Sequence, residues 1–159
     1  MTVAPMSGAE LQAARKRAAE RFEAIAAKYV PEGWTVQYCK SLWSGRCIYK
    51  SRTIVGPRPV TRKALYIFLH ECGHAHRHAP LYAASKSAYR KKPKHVIELE
   101  AEQWAHEKMR ENGVPVPKAM TKSAKAYVAR KIRQAERIGA KHINQDARQF
   151  AKRSAKGIA

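Results

Sequence analysis

Thr61-Arg62-Lys63-Ala64-Leu65-Tyr66-Ile67-Phe68-Leu69-His70-Glu71-Cys72-Gly73-His74 is the stretch that decides how this chain is read. Thr61 can cap a helix. Leu65, Phe68 and Leu69 follow at spacings of three and four, so the helix buries one face and runs to near Pro80. On it, His70 and His74 lie one turn apart on the same side and can chelate one ion. Glu71 points to the neighbouring side, where it can reach a water on that ion. Two imidazole ligands and a carboxylate base are the working parts of the HExxH pattern. The pattern alone arises by accident in roughly 2% of chains of this composition. Its place inside a burying helix therefore carries more weight than the string.

Upstream, Ser7-Gly8-Ala9-Glu10 has the form of a capping box. Leu11, Ala14, Ala18, Phe22, Ile25 and Tyr29 then form one apolar stripe on a helix that ends before Pro31. Trp34 to Cys39 and Ile48 to Val55 are rich in β-branched and aromatic residues and read as strands, with Ser44-Gly45 as a hairpin-like connection. Gly56-Pro57-Arg58-Pro59 breaks the pattern. Downstream, residues 83 to 95 predict a loop or weak helix. A strong helix follows from about Val96 to Asn112, closed by Asn112-Gly113. Val114-Pro115-Val116-Pro117 is an extended link. Thr121 then caps a helix with Val128, Ile132, Ala135 and Ile138 on one face, stopped at Gly139, and a last helix covers roughly 145 to 154. The expected class is α+β, mainly helical with a small sheet. Two parts are expected: residues 1–117, and a basic helical extension, 118–159, packed on or tethered to them.

A catalytic zinc has three protein ligands and an open position. The third ligand must come from another element, and the helix from Val96 offers Glu98, Glu100 and Glu102. On a helical wheel with Val96 at zero, Glu100 falls at about 40°, between Val96 and Trp104 at about 80°. Glu98 and Glu102 fall near 200° and 240°, outside that arc. A buried, unpaired carboxylate is costly. Glu100 therefore needs a partner, either a metal ion or a base such as Lys63 or Arg62. Glu107 shares its face and is the second candidate. Cys72 points about 200° from His70, which leaves the site open rather than closed by four ligands.

With these residues in place, Thr61 to His74 together with Glu100-Ala101-Glu102-Gln103-Trp104-Ala105, beginning 26 residues after His74, resembles the ImmA/IrrE-like metallopeptidases. The resemblance covers roughly residues 10 to 112. It implies a gluzincin-type, zincin-like domain with an HExxH helix and a second helix bearing an E-A-N-x-F-A-like motif. It also implies His70, His74 and Glu100 as Zn2+ ligands and Glu71 as base. Glu102 stands where that motif has Asn, and Trp104 where it has Phe. The resemblance further implies a protein substrate, such as a repressor or other regulatory protein of a mobile element. Catalysis of this kind lowers the pKa of a zinc-bound water, and Glu71 takes its proton. An oxyanion donor should complete the site, and Tyr82, Tyr89 and His95 are candidates because they lie between the two motif helices. His76 and His78 read as helix-end residues favourable to the dipole.

The formal net charge is +20, with 32 Lys+Arg against 12 Asp+Glu. Between Glu32 and Glu71 there are seven bases and no acid. From Lys118 onward twelve bases face only Glu136 and Asp146. Such an excess predicts attraction to polyanions. Arg130, Lys131, Arg133, Arg137 and Lys141 are the candidate nucleic-acid contacts, with a solvated face or an acidic protein partner as the alternative. No apolar run reaches the roughly 20 residues that span a bilayer. The absence of a secretion signal and the three unpatterned cysteines (Cys39, Cys47, Cys72) lead to the expectation of a cytoplasmic protein. Two functions follow as expectations. One is a zinc peptidase. The other is a nucleic-acid-binding module of a phage or plasmid whose zinc site is structural or vestigial.

Overall fold

Ser7 caps the first helix, α1 (Gly8–Lys28), with the full reciprocal box: its hydroxyl accepts from the Glu10 amide, and Glu10 reaches back to the Ser7 amide. Only the second half of the apolar stripe is used. Phe22, Ile25 and Ala26 are buried, while Leu11 is exposed. The computed structural model describes residues 6–152.

The sheet differs from expectation. Trp34 to Cys39 does contain a strand, β1 (Thr35–Tyr38), but the stretch from Ile48 to Val55 is two strands. These are β2 (Arg46–Ile48) and β3 (Thr53–Gly56), separated by a turn at Tyr49–Arg52 in which Arg52 takes a positive φ of 49°. Lys50-Ser51-Arg52 interrupts the apolar run and supplies that turn. The order is β1-β3-β2. β1 runs parallel to β3, with Thr35 opposite Thr53, and β2 runs antiparallel to it, with Cys47 opposite Ile54. Ser44-Gly45 is therefore not a hairpin turn between paired neighbours. It leads the chain past β3's position to the far edge.

The helix of the HECGH motif, α2 (Arg62–Arg77), begins where Thr61 Oγ1 accepts from the Ala64 amide. Every residue from Ala64 to Leu69 is buried, because α2 lies between the sheet and α1 on one side and a second long helix on the other. Two short helices follow, α3 (Ala79–Ala84) and α4 (Lys86–Lys91), where a loop or weak helix was expected. The second long helix is α5 (Lys94–Glu111), closed by Asn112 and the positive-φ Gly113.

α5 is buried on two sides. Trp104, Ala105 and Met109 join the core formed with α2, while Leu99 packs with Val128, Ile132 and Ala147. Those last residues belong to α6 (Lys118–Arg137) and α7 (Gln145–Lys152). α6 starts three residues before the expected cap. Pro117 takes the cap position, and Thr121 sits in the first turn with its hydroxyl donating to the Pro117 carbonyl. The described part of the basic segment, residues 118–152, is thus packed on α5; positions 153 and 154, where the last helix was expected to end, lie outside the described residues. Among the described residues no helix is long and apolar enough to cross a membrane.

Candidate metal centre

α2 and α5 face each other across a shared core, and the contact brings three side chains to a point. His70 Nε2 and His74 Nε2 are 3.1 Å apart. Glu98 Oε2 lies 3.4 Å from the first and 3.5 Å from the second. These are the edges of a small triangle of donor atoms. Four ligands at zinc's usual bond lengths would be spaced about 3.3–3.4 Å apart in a tetrahedron. All three side chains are largely buried, so the crowding of lone pairs is not relieved by water. The three donor atoms are close enough together to hold one metal ion. Burial alone would raise the Glu98 carboxyl. The hydrogen bonds and charges of His70 and His74 outweigh it and hold the group well below the ordinary carboxylate range.

The far side of the His74 ring is hydrogen-bonded, and that of His70 faces a carboxylate without a hydrogen bond. His70 Nδ1 lies 3.0 Å from Glu102 Oε1, close enough for an ion pair though not aligned as a hydrogen bond. Tyr66 donates its hydroxyl to the other Glu102 oxygen and lies 3.2 Å from His106 Nε2. Glu102 is buried, which pushes its carboxyl up to about 8. His74 Nδ1 faces His78 Nδ1 at 3.1 Å. His78 Nε2 faces Glu100 Oε2 at 2.8 Å, and Lys92 Nζ reaches the same oxygen at 2.6 Å. His78 sits at the end of α2, as its C-cap residue, but its ring is wholly buried and bonded on both nitrogens. His76 does sit at the surface end, stacked on Trp104 and bonded to the Tyr29 carbonyl.

The structure brings a different carboxylate to the two histidines than the one the sequence pointed to. The wheel selected Glu100, but its carboxylate is taken by His78 and Lys92, and it is Glu98 that meets the two histidines. The wheel assumed one buried arc on α5, whereas the helix is buried against α2 on one side and against α6 and α7 on another. Glu107, the second candidate, pairs with Lys108 at the surface.

Glu71 is buried and lines the same cleft as His70, His74 and Glu98. Burial pushes its carboxyl up to about 7, with the His70 charge lowering it and Glu98 raising it. Two glycines fix its setting. A Cβ on Gly45 would meet Glu71 Cγ at 2.7 Å and the Val55 carbonyl oxygen at 2.8 Å. A Cβ on Gly73 would meet the Ala101 carbonyl oxygen at 3.0 Å and its Cα at 3.1 Å. Gly73 therefore faces α5 and not the donor triangle. It lets α2 and α5 touch backbone to backbone.

The cleft measures about 510 Å³ and has aromatic walls from Trp43, Tyr49, Tyr89 and Tyr127. Of the expected oxyanion donors, only Tyr89 lines it. Tyr82 packs behind, its ring 5.2 Å from Tyr49 and 5.6 Å from Tyr89. His95 is buried elsewhere, its Nε2 accepting from the Asn144 amide beside α7. Sequence reasoning missed Tyr127. It stands on the basic helix, but Met120, Ser123, Ala124 and Tyr127 form one wall of the cleft. Their three- and four-residue spacing was the available signal. Arg130, Arg133 and Arg137 line a separate exposed groove with Glu136. Lys131 and Arg130 both lie over the Tyr127 ring, and Lys141 is exposed beyond the helix.

No protein-family model, curated protein or solved structure matches this chain.

Proposed function

We propose that this protein is a zinc-dependent peptidase of zincin type, with His70, His74 and Glu98 holding the metal and Glu71 as general base. The observation that carries the reading is the triangle of His70 Nε2, His74 Nε2 and Glu98 Oε2, with edges of 3.1, 3.4 and 3.5 Å. Two imidazoles and one carboxylate suit zinc rather than magnesium or calcium. When bound, zinc supplies a water of lowered pKa and polarises a carbonyl. Glu71, in the same cleft, accepts the water's proton and delivers it to the leaving amine. The hydroxyls of Tyr89 and Tyr127 are the cleft's candidates for a donor to the developing oxyanion.

The test is metal content and hydrolysis of a quenched-fluorescent peptide library. Wild type should bind one zinc. Glu98→Ala should lose it, and Glu71→Gln should keep it while hydrolysis disappears. Zinc retained in Glu98→Ala, or full activity in Glu71→Gln, would refute the assignment.

A second reading is favoured by one observation. Arg130, Arg133 and Arg137 share an exposed groove on a chain of net charge +20, a surface suited to nucleic-acid phosphates. In this reading the protein is a nucleic-acid-binding module and its metal site serves the fold.

A further inference from the structure

Beyond the three ligands, a line of polar groups runs from the metal centre to the surface: His74, His78, Glu100 and Lys92. Each link is within hydrogen-bond distance, at 3.1, 2.8 and 2.6 Å. We infer that His78 is a positioning residue of the centre, fixing His74 with its proton on Nδ1 and its Nε2 lone pair turned toward the metal, while Glu100 and Lys92 hold His78 in turn. This rests on the metal-centre reading above.

The direction follows from donor and acceptor counting. Glu100 is a carboxylate held by Lys92, and it can only accept. The proton of His78 therefore sits on Nε2 and is donated to Glu100. As a neutral ring, His78 then has a bare Nδ1, which can only accept. The neighbour 3.1 Å away, His74 Nδ1, must supply the proton. A neutral imidazole carries one N–H, so His74 Nε2 is left bare, and that is the atom in the donor triangle. A wholly buried polar ring is costly unless its nitrogens are paired, and both His78 nitrogens are. Packing alone would be served by a leucine. The spacing His70, His74, His78 stacks the three rings along one side of α2, with ring centroids 4.7 and 5.2 Å apart.

The experiment measures zinc affinity of the full chain by competition with a chromophoric chelator, with far-UV circular dichroism as the check on folding. His78→Leu should bind zinc about 10- to 100-fold more weakly, the usual range for a lost outer partner. His78→Gln should recover most of that loss, since its amide can accept from His74 and donate to Glu100. A folded His78→Leu with wild-type affinity would overturn the inference, and so would a His78→Gln no better than His78→Leu. If His78→Leu does not fold, Glu100→Ala decides, because that side chain is 30% exposed and outside the core. Weaker zinc binding in it supports the chain of contacts, and unchanged binding overturns it. His70→Ala separates the two readings. Zinc retained there removes the metal centre itself. Zinc lost there, with the His78 and Glu100 variants unaffected, removes only the role of His78.

Discussion

Gly45 occupies the tightest space beside Glu71, the proposed base. It has no unusual backbone angle to explain it; what it lacks is a side chain, and the missing Cβ would fall 2.7 Å from Glu71 Cγ. Gly45→Ala should therefore push Glu71 aside without touching His70, His74 or Glu98. The expected outcome is retained zinc with peptide hydrolysis lowered by about 100-fold, the scale of a 1 Å misplacement. Wild-type turnover in that variant would show that Glu71 has room to spare. At this scale the sequence was partly legible. The pair His70 and His74 follows from helical periodicity alone, because both lie on one element. Glu98 does not. Its meeting the histidines in place of Glu100 depends on how α5 is rotated against α2, and α5 is also packed on a second side, at Leu99 against Val128, Ile132 and Ala147, which no single wheel contains. Glu100 was rightly seen to need a partner. Its partners in the structure are His78 and Lys92, not Lys63 or Arg62.

At the level of elements, the contact between α2 and α5 is the joint on which the centre depends. A Cβ added to Gly73 would press on the Ala101 carbonyl oxygen and Cα, with Trp104 Cβ 3.4 Å from the same point. Backbone cannot give way as a flexible side chain can. Gly73→Ala should therefore separate the helices by a few tenths of an ångström and destabilise the fold by about 1–3 kcal/mol. Urea unfolding checks the stability, and zinc content checks the donor spacing. No change in either would mean that the helices adjust freely. The helices themselves were readable because caps and periodic apolar residues are local signals: Ser7, Thr61 and Asn112-Gly113 mark the ends of α1, α2 and α5. The sheet was not. A parallel β1–β3 pair with β2 outside it rests on contacts between separated segments, and Lys50-Ser51-Arg52 is too short a break to announce two strands.

Over the whole molecule, charge and cleft converge on α6. Its Val128 and Ile132 hold it to α5, its Tyr127 faces the cleft, and its arginines face solvent. Replacing Arg130, Arg133 and Arg137 by Gln should leave the fold intact, since all three are exposed. For a short random-sequence DNA duplex it should reduce the slope of log affinity against log salt by about 3, near one unit per lost phosphate contact. Absence of any duplex binding by wild type at low salt would remove the nucleic-acid reading and leave the peptidase reading standing.

The position of Tyr127 on α6 has a further consequence. Arg130 follows it by three residues, about 4.5 Å along the helix axis. A polyanion held in the arginine groove would thus lie within one turn of the cleft wall. A protein bound to the same polyanion would meet the cleft by a short search along a shared tether instead of by free diffusion, at an effective concentration in the millimolar range. Cleavage of such a substrate would then depend on salt, while cleavage of a free peptide would not.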